Sequence, residues 1–368
     1  MPAERAKESN FASHGRQSVK PLVKTDELYA ALDLGTNSCR MLIARPEGNE
    51  FVIIDAFSKP VHLGKGLEEY GTLSRAAINR TIQALHICQK KIKNHGVKNA
   101  RLVATEACRR ARNGKMFIQQ VKTRTGLQLE IITPAEEVRL AAVSCAPHVA
   151  PVTEQLLIID IGGGSTELAW IDLTEVAPEQ RSDALRNMKM DCTKTNKCCP
   201  GGVQMIDWIS VPLGVATLND QFNDVDCDTA RFALMSCAFE DAVMEFGRTI
   251  DFSDIVARGA FQIIGTSGTV TTVAASFKGL RRYERDLIDG VSMSCAEVEQ
   301  VTQEYLRLGM SGRRKAACIG NDRCELIMSG AAILQGVLRV WPTDKLTVAD
   351  RGLREGLLYS QMSEKRLS

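Results

Sequence analysis

Three short segments of this chain carry residue types that could hold phosphate. They are Asp33-Leu34-Gly35-Thr36-Asn37-Ser38, Asp160-Ile161-Gly162-Gly163-Gly164-Ser165-Thr166 and Gly265-Thr266-Ser267-Gly268-Thr269. Glycine lets a backbone turn tightly and approach a ligand closely. Successive N–H groups in such a turn form a concave anion site, and Ser and Thr hydroxyls add donors. One such loop would pass as an ordinary tight turn; three in one chain are hard to read that way. The first two also begin with Asp at the end of an apolar run. A carboxylate facing a phosphate is repelled unless a cation lies between them. The pairing therefore predicts a hard divalent ion, Mg²⁺ with Mn²⁺ as a substitute, held by Asp160 and by Asp33 as a second ligand.

The elements around these loops follow from pattern. Leu28–Asp33, Cys39–Ala44 and Phe51–Phe57 read as strands. Ser74 is a plausible N-cap for a helix carrying Ile78, Ile82, Leu85 and Ile92 at helical spacing. A short strand at Leu102–Ala104, a basic helix over 107–122, a strand at Leu129–Ile132 and a helix at Ala135–Ala146 follow. The opening then repeats. Leu156–Asp160 runs into the second glycine turn and a strand from Glu167 to Ile171, about 127 residues after Asp33. Further strands are expected at Ile206–Val211, Gln262–Gly265 and Leu346–Val348. Helices are expected around Phe232–Phe246, from about Thr269, and at Ala296–Leu308, Leu326–Val340 and Leu353–Met362. The mixture gives an α/β class with two domains of similar architecture. The expected division is a flexible tail over 1–26, domain I over 27–136 and domain II over 137–351. Domain II carries an irregular insertion near 172–203, and a closing helix at about 352–368 packs back on domain I.

The loops resemble those of the actin-like ATPase and sugar-kinase superfamily. They resemble one branch most closely, the exopolyphosphatase and guanosine pentaphosphate phosphohydrolase family. Beside the three loops, the matching residues are Ala104-Thr105-Glu106-Ala107-Cys108-Arg109-Arg110-Ala111, Glu136-Glu137-Val138-Arg139-Leu140, Glu167-Leu168 and Arg351-Gly352-Leu353-Arg354-Glu355-Gly356. They occur in family order from residue 28 onward. The resemblance implies two actin-like (ribonuclease H-like) domains with the site in the cleft between them. It implies Mg²⁺-dependent release of terminal orthophosphate from inorganic polyphosphate, with guanosine pentaphosphate as the alternative substrate. The chain stops soon after Gly356, where longer family members continue into a helical region, so the resemblance implies a short form. It also implies a homodimer.

The resemblance assigns roles residue by residue. Glu137 is the implied general base, since phosphoanhydride hydrolysis needs a water in line with the leaving oxygen. Its plain alternative is a first-turn acid of a helix beginning at Pro134. Glu167 is implied to face the site, and Arg109 to contact phosphate, as a guanidinium fork suits. The anion-binding positions are Gly35, Thr36, Asn37, Ser38, Gly162, Gly163, Gly164, Ser165, Thr166, Gly265, Thr266, Ser267 and Gly268. Arg281, Arg282 and Arg285, with Arg313, Arg314 and Lys315, could guide a long polyanion. Cys192, Cys198 and Cys199 cluster in the insertion without the paired spacing of a zinc site.

Composition narrows the rest. The 368 residues carry a net charge of +2 with 44% hydrophobic and 24% charged residues, a balance that draws the protein neither to nucleic acid nor to a membrane. Most of the 12 cysteines, such as Cys88, Cys108, Cys145, Cys237 and Cys318, sit in apolar stretches and read as buried thiols. With no apolar signal core in the opening residues and no long apolar run, the expected location is cytoplasmic. Two other classes remain open: an actin-like kinase with a second acceptor, and a non-catalytic alarmone sensor. The Glu-Glu-x-Arg and Thr-x-Ala-x-Arg segments favour hydrolysis over the kinase, and Glu137 and Asp160 argue against the sensor, since binding alone needs no water-activating carboxylate.

Overall fold

A computed structural model describes residues 27–189, 202–248, 250 and 252–367. The expected tail and the Cys192, Cys198 and Cys199 cluster lie outside the described residues. Two sheets organise the chain. The first contains β1 (Tyr29–Leu34), β2 (Ser38–Glu47), β3 (Glu50–Pro60), β4 (Asn99–Ala104) and β5 (Glu130–Ile131) in the order β3-β2-β1-β4-β5. The second contains β6 (Gln155–Ile161), β7 (Thr166–Asp172), β8 (Gln204–Val211), β9 (Phe261–Thr266), β10 (Ser292–Met293) and β11 (Leu346–Ala349) in the order β10-β11-β9-β6-β7-β8.

The sheets are copies of one plan. In the first, β1 pairs antiparallel with β2 and parallel with β4. In the second, β6 pairs antiparallel with β7 and parallel with β9. The hairpins share register as well: Asp33 lies opposite Arg40, and Asp160 opposite Glu167. Both central strands are buried on both faces, so they read as unbroken apolar runs rather than alternating ones. Ala30, Leu32 and Leu34 join the core beneath the helix Arg75–Asn94, while Tyr29 and Ala31 face the helix Leu353–Leu367. Leu157, Ile159 and Ile161 likewise face one core, and Leu156 and Ile158 the other.

Two helices join the halves. The helix Pro134–Cys145 sends Leu140 into the core it shares with Leu353, Leu357 and Leu358, and Val138, Ala142 and Val143 into the core of the second sheet. Gly356 lets these helices meet at backbone distance, because a methyl group there would overlap the carbonyl of Leu140. Glu136 and Arg139 brace the same junction. Arg139 binds the Glu136 carboxylate through Nε at 2.8 Å and Nη2 at 3.0 Å, and it also reaches the Met188 carbonyl and the Ser360 hydroxyl.

Several expectations are corrected. The basic helix over 107–122 is two helices, Glu106–Arg110 and Gly114–Thr125. Asn113 breaks it by exchanging two hydrogen bonds with the backbone of Leu73, at 2.8 and 3.0 Å, a tertiary contact that helical propensity does not register. Among the described part of the insertion, Arg181–Arg186 is a helix. Arg313 is no surface guide: it is buried, paired with Asp228 at 2.9 Å and bonded to the Tyr305 carbonyl. Arg285 is likewise engaged, by Asp350 and Glu355. Cys88, Cys108 and Cys145 are buried, whereas Cys237 is exposed. No helix among the described residues is long and apolar enough to cross a membrane.

Candidate active site

The carboxyl ends of β1, β6 and β9 converge, and each leads into one of the glycine loops. Between the halves lies a cavity of about 360 Å³. Asp33, Gly35, Thr36, Asn37 and Ser38 line it from the first loop. Asp160, Gly162, Gly163, Gly164, Ser165 and Glu167 come from the second, and Thr266, Ser267 and Gly268 from the third. The first two loops close in the same way: Gly35 N–H donates to the Ser38 carbonyl at 3.0 Å, and Gly162 N–H to the Ser165 carbonyl at 2.9 Å. The loops also touch each other, since a Cβ on Gly164 would sit 2.5 Å from Thr36 Oγ1. Only glycine permits that approach.

The third loop caps a helix. Ser267 accepts from the N–H groups of Thr269 and Val270 at 3.1 and 3.3 Å, so the helix Gly268–Phe277 begins at the cavity wall. A helix start favours an anion. Ser267 holds φ 143°, a conformation favouring glycine that costs a non-glycine residue about 1–3 kcal/mol. Two expected anion-binding positions stand elsewhere. Thr166 turns its hydroxyl to the Leu213 carbonyl at 2.7 Å, and Gly265 packs beside Val270 and Leu346.

Glu137 reaches the cavity from the first turn of Pro134–Cys145, whose N-cap Thr133 accepts from Glu136 N–H at 3.2 Å. The two adjacent acids divide. Glu136 is held by Arg139 and Arg101 and lies below the usual carboxylate range despite partial burial. Glu137 is only 7% exposed and titrates well above that range. Burial is the main cause, with repulsion from Glu167 next, and Arg109 opposes both. Arg109 does not line the cavity. Its Nη1 donates to Glu137 Oε2 at 2.9 Å and to the Ile132 carbonyl at 3.0 Å, and its Nη2 donates to Glu106 Oε2 at 2.7 Å. In this arrangement the guanidinium orients carboxylates instead of pointing into open space.

The other acids share the effect. Asp160 is pushed up to about 7 by burial and by the charges of Glu137 and Asp33. Glu167 also rises to about 7, through burial and Asp160, although Ser165 and Ser210 donate to its Oε1 at 2.7 and 2.8 Å. Burial raises Asp33, opposed by Arg40 and Arg354. Acids crowded in this way are relieved by a cation, and their all-oxygen chemistry suits a hard one. Among the described residues no three His, Cys, Asp or Glu side chains form a ready metal cage.

Sequence reasoning missed Arg40 and Arg323 and gave no role to Arg354, which stood only within a matching segment; all three line the cavity. Arg40 and Arg323 each approach Gly268, and Arg323 binds the Gly268 carbonyl. Burial and the neighbouring Arg354 charge lower the pKa of Arg40, which leaves it suited to an anion. The register of Arg40 opposite Asp33 was the available signal.

Two halves of one plan, each with a glycine loop, and buried acids between them define the class: an actin-like α/β fold with a polar cleft between its halves. The chain belongs to the Ppx/GppA phosphatase family, which it matches over residues 42–365. It is 26% identical over 332 residues to the guanosine-5'-triphosphate,3'-diphosphate pyrophosphatase of Aeromonas salmonicida, covering 90% of this chain and 59% of that protein. The crystal structure of the Aquifex aeolicus member of the Ppx/GppA family matches with a TM-score of 0.73 and 26% identity, covering 93% of this chain and 99% of that one. An exopolyphosphatase from Cytophaga hutchinsonii matches with a TM-score of 0.75 at 20% identity, covering 92% and 98%, and shares the fold.

Proposed function

We propose that this protein hydrolyses the terminal phosphoanhydride bond of a linear phosphate chain and releases orthophosphate. Inorganic polyphosphate is the leading substrate and guanosine pentaphosphate the second. The observation that carries the reading is the position of Glu137, a buried acid of raised pKa on the wall of a cavity that three glycine loops also line. The name of the Aeromonas relative supports the second substrate.

The residues divide the work. Backbone amides of the first two loops and the helix start at Gly268 bind phosphate oxygens, and Arg40 and Arg323 balance their charge. Arg109 fixes Glu137 through Oε2. Oε1 has no protein donor within reach among the described residues, which leaves it to orient a water and take its proton. Asp160 and Asp33 are the residues that would hold Mg²⁺. When bound, that ion supplies neutralisation of the charge on the phosphate oxygens. Contact between the two loops excludes bulk water from part of the cleft.

The test is phosphate release with Mg²⁺ from long polyphosphate, tripolyphosphate and guanosine pentaphosphate, with Glu137→Gln as control. Loss of a general base should lower kcat by about 10²–10⁴-fold. Near-normal turnover in the variant, or no release from any substrate by the unaltered protein, refutes the reading.

A further inference from the structure

The first glycine loop is held from behind by a strap, Val61-His62-Leu63-Gly64, that stands outside the cavity lining. Val61 and His62 N–H groups donate to the Asn37 carbonyl at 2.8 and 2.9 Å, and Gly64 N–H donates to the Thr36 carbonyl at 3.0 Å. The strap is itself fixed. Val61 and Leu63 are buried in the core of the first sheet. Arg80, from the helix Arg75–Asn94, donates to the carbonyls of Val61 and His62 at 3.1 and 3.3 Å.

Gly64 also meets the Thr36 side chain. A Cβ at Gly64 would sit 2.3 Å from Thr36 Cγ2. Gly64 does not hold the left-handed φ that would by itself call for glycine, so the space for that methyl is what glycine supplies. The other branch of the same side chain faces the second half: Thr36 Oγ1 lies 2.5 Å from where a Cβ on Gly164 would stand. Both branches hang on one Cβ with few χ1 wells, so neither moves without the other.

We propose that Gly64 is a positioning residue for the phosphate site, setting the Thr36 side chain and, through Thr36 Oγ1, the contact between the first and second loops. This rests on the proposed role of those loops and adds a residue that does not line the cavity. A methyl at position 64 must move Thr36 Cγ2 by about 1 Å to reach ordinary contact. The strap behind it is pinned by Arg80 and two buried side chains, so Thr36 yields first. A misplacement of about 1 Å costs on the order of 10²-fold where groups must be aligned.

The test is a double-mutant cycle on kcat/KM for phosphate release from tripolyphosphate with Mg²⁺, assayed well below each protein's Tm. Gly64→Ala alone should lower kcat/KM about 10- to 100-fold. Thr36→Ser removes Cγ2, and the nearest remaining Thr36 atom is then Cβ at 3.6 Å, an ordinary contact. Adding Gly64→Ala to Thr36→Ser should therefore cost no more than about twofold. Calorimetry of tripolyphosphate in the Glu137→Gln background should show the same pattern in affinity, without turnover. Equal losses from Gly64→Ala with and without Thr36→Ser would place its effect elsewhere and overturn the proposal. A lowered Tm with unchanged kcat/KM would make Gly64 a support of the fold alone, and overturns it too. If the unaltered protein binds tripolyphosphate without releasing phosphate, the hydrolytic reading fails while the calorimetric cycle still decides this one. If it does not bind tripolyphosphate, the phosphate role of the loops fails and this inference with it.

Discussion

Replacing Arg109 with Met separates two roles that the sequence runs together. If Arg109 contacts phosphate, its loss weakens substrate binding at every pH. The structure instead gives it to Glu137 at 2.9 Å and Glu106 at 2.7 Å. Its charge holds the Glu137 pKa down against burial. A unit charge pair about 4 Å apart at an effective dielectric constant of about 20 interacts by roughly 4 kcal/mol. At 1.36 kcal/mol per pKa unit the upper limit is about three units, and about one to three is the usual range for such a partner. A general base acts when ionised, so activity rises with pH through its pKa. Removing Arg109 raises that pKa, and the acid limb of the rate profile should move up by about one to three units. On that limb the loss at a given pH would be about 10- to 1,000-fold, with part of the rate recovered at higher pH. Arg109→Lys keeps the charge but loses the fork, and should shift the limb less. The assay is kcat/KM for phosphate release from tripolyphosphate across pH, with both proteins at one Mg²⁺ concentration. A uniform fall with an unmoved limb would sink this reasoning and return Arg109 to direct phosphate contact.

Other consequences follow from the same geometry. The folded-state pKa of Asp160, about 7, lies above its unfolded value. It therefore adds stability below the ordinary Asp range, and that stability is lost as pH rises through about 7. Without divalent metal, Asp160→Asn should flatten the fall in Tm between about pH 5 and 8. Mg²⁺ should raise Tm at pH 8 in the unaltered protein, and the same change should abolish that rise. An unchanged Mg²⁺ response would remove Asp160 from the ion site. At the helix junction, Gly356→Ala must push the Leu140 carbonyl away. It should cost about 1–3 kcal/mol in urea unfolding, as overpacking does. A neutral result would mean that the two helices separate without penalty.

The sequence alone was enough to identify the repeated unit. Two apolar strands ending in Asp before glycine turns required two similar α/β halves, because the strand period, the turn chemistry and the spacing are local properties of the chain. The same local logic found Ser74 as a cap, the start of the helix carrying Glu137, and most of the loop residues lining the cavity. Tertiary structure decided what each side chain faces. Glu136 and Glu137 are adjacent acids in sequence, yet one is bound by two arginines and the other opens on the cavity, since neighbours on a helix point about 100° apart. Arg109 and Arg40 exchanged expected prominence for a related reason. Arg109 meets Glu137 from 28 residues away, and Arg40 meets Gly268 across the cleft, contacts that no local pattern encodes. Arg313 and Tyr283 are the same lesson in opposite directions. Arg313 looked exposed within its basic run and proved buried, while Tyr283, in no quoted motif, lines the cavity, because burial is settled by long-range packing after the local elements have formed.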